Sequence, residues 1–254
     1  MFKGKRIVRQ SAALVLLAKY PEPKRVKTRL VNGTEENRFT GLKDLHDLAG
    51  NTLDQETAYQ IAADLYRAFL LDRFAAHQRR TYDVILGMSQ KEYDAQFLTI
   101  TGPDVRHHLT GGAHLGELMF HLFSDLLGTY KKVLISGSDF PYLDETVIER
   151  VLGLLDVSEV VLVPAHDGAY NLIGLSRLHN LFSLSRWSSG SELAETVTLL
   201  KDQHTPYAVL DDLCLVDIDT LEDLRLLIRT IRPHQAPATT AFLKQLQDRL
   251  RLVD

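Results

Sequence analysis

The feature that most constrains this chain is a regular alternation of short apolar runs with longer stretches of helical periodicity. Apolar runs recur at Ala12–Ala18, Tyr82–Gly87, Lys132–Ser136, Val160–Pro164 and Tyr207–Leu210, and helical patterns lie between them at Thr57–Phe74, Glu117–Leu127, Glu145–Leu155, Glu192–Lys201 and Leu221–Thr230. Runs this short, bounded by Gly, Pro and polar residues, read as buried strands. Strands separated by helices imply βα units, and hence a largely parallel, doubly wound α/β sheet. Two helix starts carry clear signals. Asp144 stands before Glu145–Leu155, and Thr220 has Asp223 three residues on, close to a capping box. A single domain is expected over residues 1–254, with the polar stretch 31–51 as a surface insertion. Beyond Pro233 and Pro237, residues 239–252 read as a terminal amphipathic helix.

Chemistry in open α/β sheets gathers beyond the carboxyl ends of the strands. The run Val133-Leu134-Ile135-Ser136-Gly137-Ser138-Asp139-Phe140-Pro141 ends in a small corner, a carboxylate and a proline. Asp139 there suits a hard cation such as Mg2+, or simply caps the turn into the next helix. Ser138 belongs to the same corner as a candidate nucleotide contact. After the first strand, the stretch from Lys19 to Leu30 carries Lys19, Lys24, Arg25, Lys27 and Arg29 and two prolines. Cations at the first βα turn suit phosphates, which makes Lys19, Arg25, Lys27 and Arg29 candidate nucleotide-binding residues; the alternative is a solvated charge run. The glycine patterns of a Walker A loop and of a dinucleotide fingerprint are both missing.

Late in the chain, Leu215-Val216-Asp217-Ile218-Asp219-Thr220 is a second apolar run ending in carboxylates. Asp217 and Asp219 share a face if the backbone is extended, and Asp219 then approaches Asp139 as a second metal ligand, unless it merely starts a helix. The same segment imitates an Asp-x-Asp-x-Thr phosphatase nucleophile. That motif should open a domain, and only a short stretch of chain follows it here. Asp167-Gly168-Ala169-Tyr170, directly after another strand, offers Asp167 as a base or acceptor orienter and Gly168 for close backbone approach; the plain reading is an Asp-Gly turn between strands. Trp187 and Ser188 stand ahead of a helix, Trp187 either stacking on substrate or anchoring the packing. Gly112 and Gly116 lie in a Gly-rich loop that would shape a base or ribose pocket. His107, His108, His114 and His121 lack zinc-site spacing.

A formal net charge of -4 argues against a general nucleic-acid binder. The one cysteine, Cys214, excludes an intrachain disulfide; it lies in an apolar run and reads as a buried, inert thiol. The basic start followed by Ala12–Ala18 is too short and wrongly flanked for a signal peptide, and no run approaches a membrane helix. A cytoplasmic location follows as an expectation.

The ordered set Ala-Lys-x-Pro-x-Pro-x-Arg-Val-Lys-Thr-Arg-Leu, Leu-Gly-Glu, Gly-Ser-Asp-x-Pro-x-Leu, Asp-Gly-x-Tyr-x-Leu-Ile-Gly-Leu, Trp-Ser and Asp-x-Asp-Thr-x-x-Asp-Leu spans Ala12 to Leu227. Together these segments resemble the GT-A-type "transferase 1" family, within the nucleotide-diphospho-sugar transferases. They are more distantly similar to molybdenum-cofactor and 2-phospholactate guanylyltransferases. The resemblance implies a Rossmann-like three-layer αβα sandwich of GT-A type. It implies phosphate contacts at Lys19, Lys27 and Arg29, metal at Asp139 and Asp219, and acceptor-side roles near Asp167 and Tyr170. The implied activity is a Mg2+- or Mn2+-dependent transferase, nucleotidyl or glycosyl, with Lys27, Asp139 and Asp167 as its catalytic candidates. Its partners would be a nucleoside triphosphate or nucleotide-sugar and a small-molecule acceptor, without nucleic acid or membrane and with a homo-oligomer left open. His114 and Leu118 stand where the family has Asp and Arg, and Ala169 replaces a Gly. These departures keep a non-catalytic nucleotide-binding protein as the alternative.

Overall fold

The computed structural model describes residues 10–35, 38, 40–77, 81–184, 186–187 and 189–252. The strands are β1 (Gln10–Leu17), β2 (Asp83–Met88), β3 (Arg106–Leu109), β4 (Tyr130–Ser136), β5 (Val160–Pro164), β6 (Tyr170–Leu175) and β7 (Tyr207–Val209). They form one seven-stranded sheet in the order β3-β2-β1-β4-β6-β5-β7. Neighbours run parallel except where β6 enters between β4 and β5 and pairs antiparallel with both. The helices are α1 (Thr28–Asn32), α2 (Gln55–Ala76), α3 (Asp94–Thr101), α4 (Leu115–Leu126), α5 (Glu145–Leu154), α6 (Glu192–Asp202), α7 (Leu221–Thr230) and α8 (Pro237–Gln247).

Central parallel strands are covered on both faces, so they read as continuous apolar runs. β1 shows why. Ala12, Leu14 and Leu16 join one core with residues of α2, α5, α7 and α8, while Ala13 and Val15 join the other with residues of α4. Val161 and Val163 of β5 face the first core and Val160 and Leu162 the second. The result is the expected three-layer αβα sandwich, mostly parallel.

Two strands differ from the sequence expectation. β6 carries Asn171 and Gly174 among its apolar residues, which hides its periodicity. Gly174 allows α5 to lie close on the sheet, since an added Cβ would stand 3.1 Å from the side chains of Leu155 and Val151. β3 is short, half exposed and contains two histidines, as an edge strand can. The Asp-Gly turn between strands is realised as the β5–β6 connection. The stretch 31–51 is polar on average, yet Val31, Leu42 and Leu45 enter the core beside α2. Cys214 is exposed rather than buried, because Leu213–Val216 is an irregular crossing and not a strand. Among the described residues no helix is long and apolar enough to cross a membrane.

α8 begins with Ala236, which has no side-chain acceptor, followed by Pro237. Its N-terminal amides are met instead by buried Asp72 of α2, which accepts from Ala238 N at 2.8 Å and Thr239 N at 2.7 Å. A carboxylate at a helix N-terminus also complements the helix dipole. Asp72→Ala leaves these amides without their acceptor and is expected to lower the unfolding free energy by roughly 1–3 kcal/mol, measured by urea denaturation. An unchanged midpoint would show that apolar contacts alone hold α8.

Candidate active site

Three loops meet at the carboxyl ends of β1 and β4. From β1 the chain moves to β2 on one side, while β4 lies on the other, so the strand order reverses here. Such a switch point opens a crevice in α/β sheets. The segment 215–219 is drawn across this edge by backbone bonds: Leu215 N donates to Pro164 O at 3.1 Å, and Ile218 N to Asp139 O at 3.0 Å. That crossing brings Asp217 and Asp219 to the exit of β4. Asp139 caps no helix; Asp144 performs that task for α5 by accepting from Thr146 N.

Lys27 is the centre of the cluster. It precedes α1 in a left-handed conformation (φ 50°, ψ 36°), and only 1% of its side chain is exposed. Nζ lies 2.6 Å from Asp139 Oδ1 and 3.2 Å from Asp219 Oδ1, and also donates to Asp139 O at 3.2 Å. Its charge also stands 5.9 Å from the Phe69 ring centroid. Arg29, exposed, completes the pairing of Asp219 through Oδ2 at 3.3 Å. Burial pulls the Lys27 ammonium down, but Asp139 and Asp219 outweigh it and hold the group above its ordinary value. Burial likewise pushes Asp139 up, while Lys27, with Lys19 and Arg29 behind it, holds it below the ordinary carboxylate range. Both directions describe one charged pair. Asp139 is 52% exposed at the side chain, so solvent reaches the carboxylate but not the lysine.

A supporting layer lies underneath. With its amide nitrogen turned toward Asp217, as the local hydrogen bonding requires, Asn171 donates to both carboxylate oxygens at 3.1 and 3.3 Å. Ser138 spends its hydroxyl on Leu17 O at 2.8 Å and on the Tyr66 hydroxyl at 2.6 Å. Arg73 is fully buried, donates from Nη2 to Ser136 Oγ at 3.0 Å and lies 4.3 Å from the Phe140 ring centroid. Its Nε and Nη1 meet no acceptor among the described residues. Burial presses the guanidinium down to about 9, opposed by Tyr66, Asp217 and Asp139. It therefore remains a cation at neutral pH, beneath the carboxylates. Burial also pushes the Tyr66 phenol up.

Of the residues expected at a site, the structure gathers Lys19, Lys27, Arg29, Ser138, Asp139 and Asp219. Asp167 lies nearer the rim: its charge is felt at Asp217, and it accepts from Ala169 N in its own turn at 3.0 Å. Arg25 is not brought in; it pairs with Glu22 at 2.9 Å. Gly168 (φ 88°) permits a backbone approach, but to protein, since an added Cβ would fall 2.2 Å from Gly190 O. The Tyr170 hydroxyl is buried beside Thr196. A Cβ on Gly116 would stand 2.4 Å from the Trp187 ring, so these two residues anchor the packing of α4. Gly112 is exposed at the entrance to α4, and Ser188 lies outside the described residues. Sequence reading passed over Arg73, Tyr66 and Asn171. Tyr66, Phe69, Leu70 and Arg73 share one helical stripe, the signal that a charge here enters the core.

The donors at the cluster are carboxylate oxygens, the chemistry that a hard divalent cation requires. In the present arrangement no three His, Cys, Asp or Glu side chains among the described residues stand close enough to hold a metal. Lys27 fills the space between two of the carboxylates. Concavities of about 350 Å³ beside Glu195 and 500 Å³ beside Asp47 open elsewhere and include none of these groups.

Residues 70–189, a little under half of the chain, match a family described as an uncharacterized protein conserved in bacteria (DUF2064). No curated protein matches significantly. A provisionally named nucleotide-diphospho-sugar transferase from Desulfovibrio desulfuricans G20 is 25% identical. The match covers 93% of this chain and 95% of that one, with a TM-score of 0.77. A cytidylyltransferase from Leptospira borgpetersenii serovar Hardjo-bovis shares 12% identity and a TM-score of 0.50, over 94% of each chain. The second likeness is one of fold alone. The chain thus has the α/β fold of nucleotide-diphospho-sugar transferase structures.

Asp217 provides a pH test of the cluster. Burial first, then the negative charge of Asp139, with Asp219 and Asp167 adding and Lys27 opposing, pushes its carboxyl up to about 7. A folded value above the ordinary 3.8 means that the folded protein keeps a proton that the unfolded chain has lost. Its contribution to stability is full below the ordinary value and declines as pH rises toward the folded one. In metal-free buffer, Asp217→Asn should therefore gain in Tm relative to wild type between pH 5 and pH 8. An equal Tm difference at both pH values would refute the coupling.

Proposed function

We propose that this protein is a divalent-metal-dependent transferase acting on a nucleoside triphosphate or nucleotide-sugar, with a small molecule as acceptor. The observation that carries the reading is the convergence of Asp139 and Asp219 with Lys27 and Arg29 at the switch point of the sheet. The likeness to a provisionally named nucleotide-diphospho-sugar transferase, at 25% identity over nearly the whole chain, supports it. So does the motif order along the sequence.

In this reading Asp139 and Asp219 hold Mg2+ or Mn2+. When bound, the metal neutralises charge on the donor's phosphates as a leaving group departs. The chain's own residues do the rest. Lys19, Lys27 and Arg29 make one positive wall for the phosphates, and Arg29 binds them while it steadies Asp219. Asp167, exposed at the rim, orients the acceptor hydroxyl and takes its proton. Ser138, Tyr66 and Arg73 act indirectly by fixing the exits of β1 and β4, so that the carboxylates are already in position. Positioning and charge stabilisation are the main sources of rate for such a reaction. No covalent nucleophile is required for nucleotidyl transfer.

A thermal-shift screen of nucleoside triphosphates and nucleotide-sugars, with and without Mn2+, tests this. One ligand should raise Tm only with Mn2+, and the ligand-induced shift should vanish in Asp139→Asn. Stabilisation that ignores both the metal and Asp139 would overturn the assignment. Mass analysis of products with that ligand distinguishes nucleotidyl from glycosyl transfer.

A further inference from the structure

The group that joins Asp139 to Asp219 is itself a cation. Lys27 Nζ has three acceptors, Asp139 Oδ1 at 2.6 Å, Asp139 O at 3.2 Å and Asp219 Oδ1 at 3.2 Å. An ammonium has three donors, so Lys27 is fully satisfied in the space between the two carboxylates. A divalent cation shared by the same pair would come within a few ångströms of Nζ, whose side chain is buried, and at that distance like charges repel.

We infer that Lys27 is a displaceable placeholder: its ammonium and a divalent cation are mutually exclusive partners of the Asp139–Asp219 pair, and entry of the cation sends Nζ to the mouth of the cleft. The inference rests on the reading of Asp139 and Asp219 as cation ligands. Two further features fit the exchange. Lys27 has a left-handed backbone at φ 50°, a sparsely populated conformation that persists only while its surroundings over-determine it. Its ion pairs with Asp139 and Asp219 are among those surroundings. Arg29 reaches Asp219 through the other oxygen, Oδ2 at 3.3 Å, and holds that carboxylate in place after Lys27 leaves.

The consequence is a coupling between two ligands. Without the cation, Lys27 is neutralised inside the protein and unavailable to phosphate. Once released, it joins Lys19 and Arg29 in facing the anionic donor. Cation and phosphate then favour each other's binding, and the coupling is reciprocal.

Mn2+ binding in the absence of nucleotide, followed by electron paramagnetic resonance, reads the competition directly. Lys27→Met should bind Mn2+ at least tenfold more tightly than wild type. Lys27→Arg, which retains the charge, should stay near wild type, and adding Asp139→Asn to Lys27→Met should remove the gain. Equal or weaker Mn2+ binding by Lys27→Met overturns the placeholder. If Asp139→Asn still abolishes wild-type Mn2+ binding in that case, the reading of the carboxylates as ligands stands. Absence of Mn2+ binding in every variant, with or without nucleotide, sinks both. A second measurement needs no substitution. Reductive methylation of the wild-type protein, read by peptide mass spectrometry, should spare Lys27 in EDTA and modify it at least tenfold faster in saturating Mg2+. Continued protection in Mg2+ overturns the inference.

Discussion

The organisation of the site depends on one buried charge. An ammonium removed from water is costly unless it is paired and hydrogen-bonded, and Lys27 is both. Meeting that requirement fixes three segments relative to each other: the basic loop after β1, the exit of β4 and the crossing at 215–219. The clustering of carboxylates follows from the same demand. Asp139 and Asp219 are tolerated side by side because a cation stands between them. Asp217, without such a partner at contact distance, is driven toward its neutral form.

The layer below explains how the carboxylates are held in position. Tyr66, Phe69 and Arg73 project from one face of α2 toward the ends of β1 and β4. Ser138 joins Tyr66 to the last carbonyl of β1, and Ser136 joins Arg73 to β4. A helix and two strands are thereby stitched by polar contacts at the point where the sheet would otherwise end in loose loops. The network is satisfied at Ser138 and Ser136 but leaves Nε and Nη1 of Arg73 without an acceptor among the described residues.

Much of this was legible in the sequence, and the misses have physical causes. The central strands stood out because both faces are buried, and the helix starts at Asp144 and Thr220 stood out because capping is a local interaction. Asp139 was legible as a strand-end carboxylate, and Lys27 as one of several cations. Their pairing was not, since it depends on a left-handed turn that no local pattern announced. β6 escaped because Asn171 and Gly174 serve neighbours elsewhere in the fold, and periodicity registers only the strand itself. Gly168 was read as a place of close backbone approach to a ligand, but what approaches is Gly190, and Gly116, read as shaping a base or ribose pocket, instead makes room for Trp187. A glycine's exemption from a clash is visible in a sequence; the identity of the neighbour is not.

The ion pairs of Lys27 also span very long stretches of chain. Its bond to Asp139 O joins residues 112 positions apart, and its bond to Asp219 joins residues 192 apart. Contacts so distant in sequence form only after the intervening loops have been closed, which makes them slow. The cluster therefore cannot be complete until the loop after β1, the exit of β4 and the crossing at 215–219 have been brought together. A nascent or partly folded chain would display an unpaired basic loop and separate acidic ends, and would gather the cluster only on reaching the native topology. The site is in that sense a readout of completed folding.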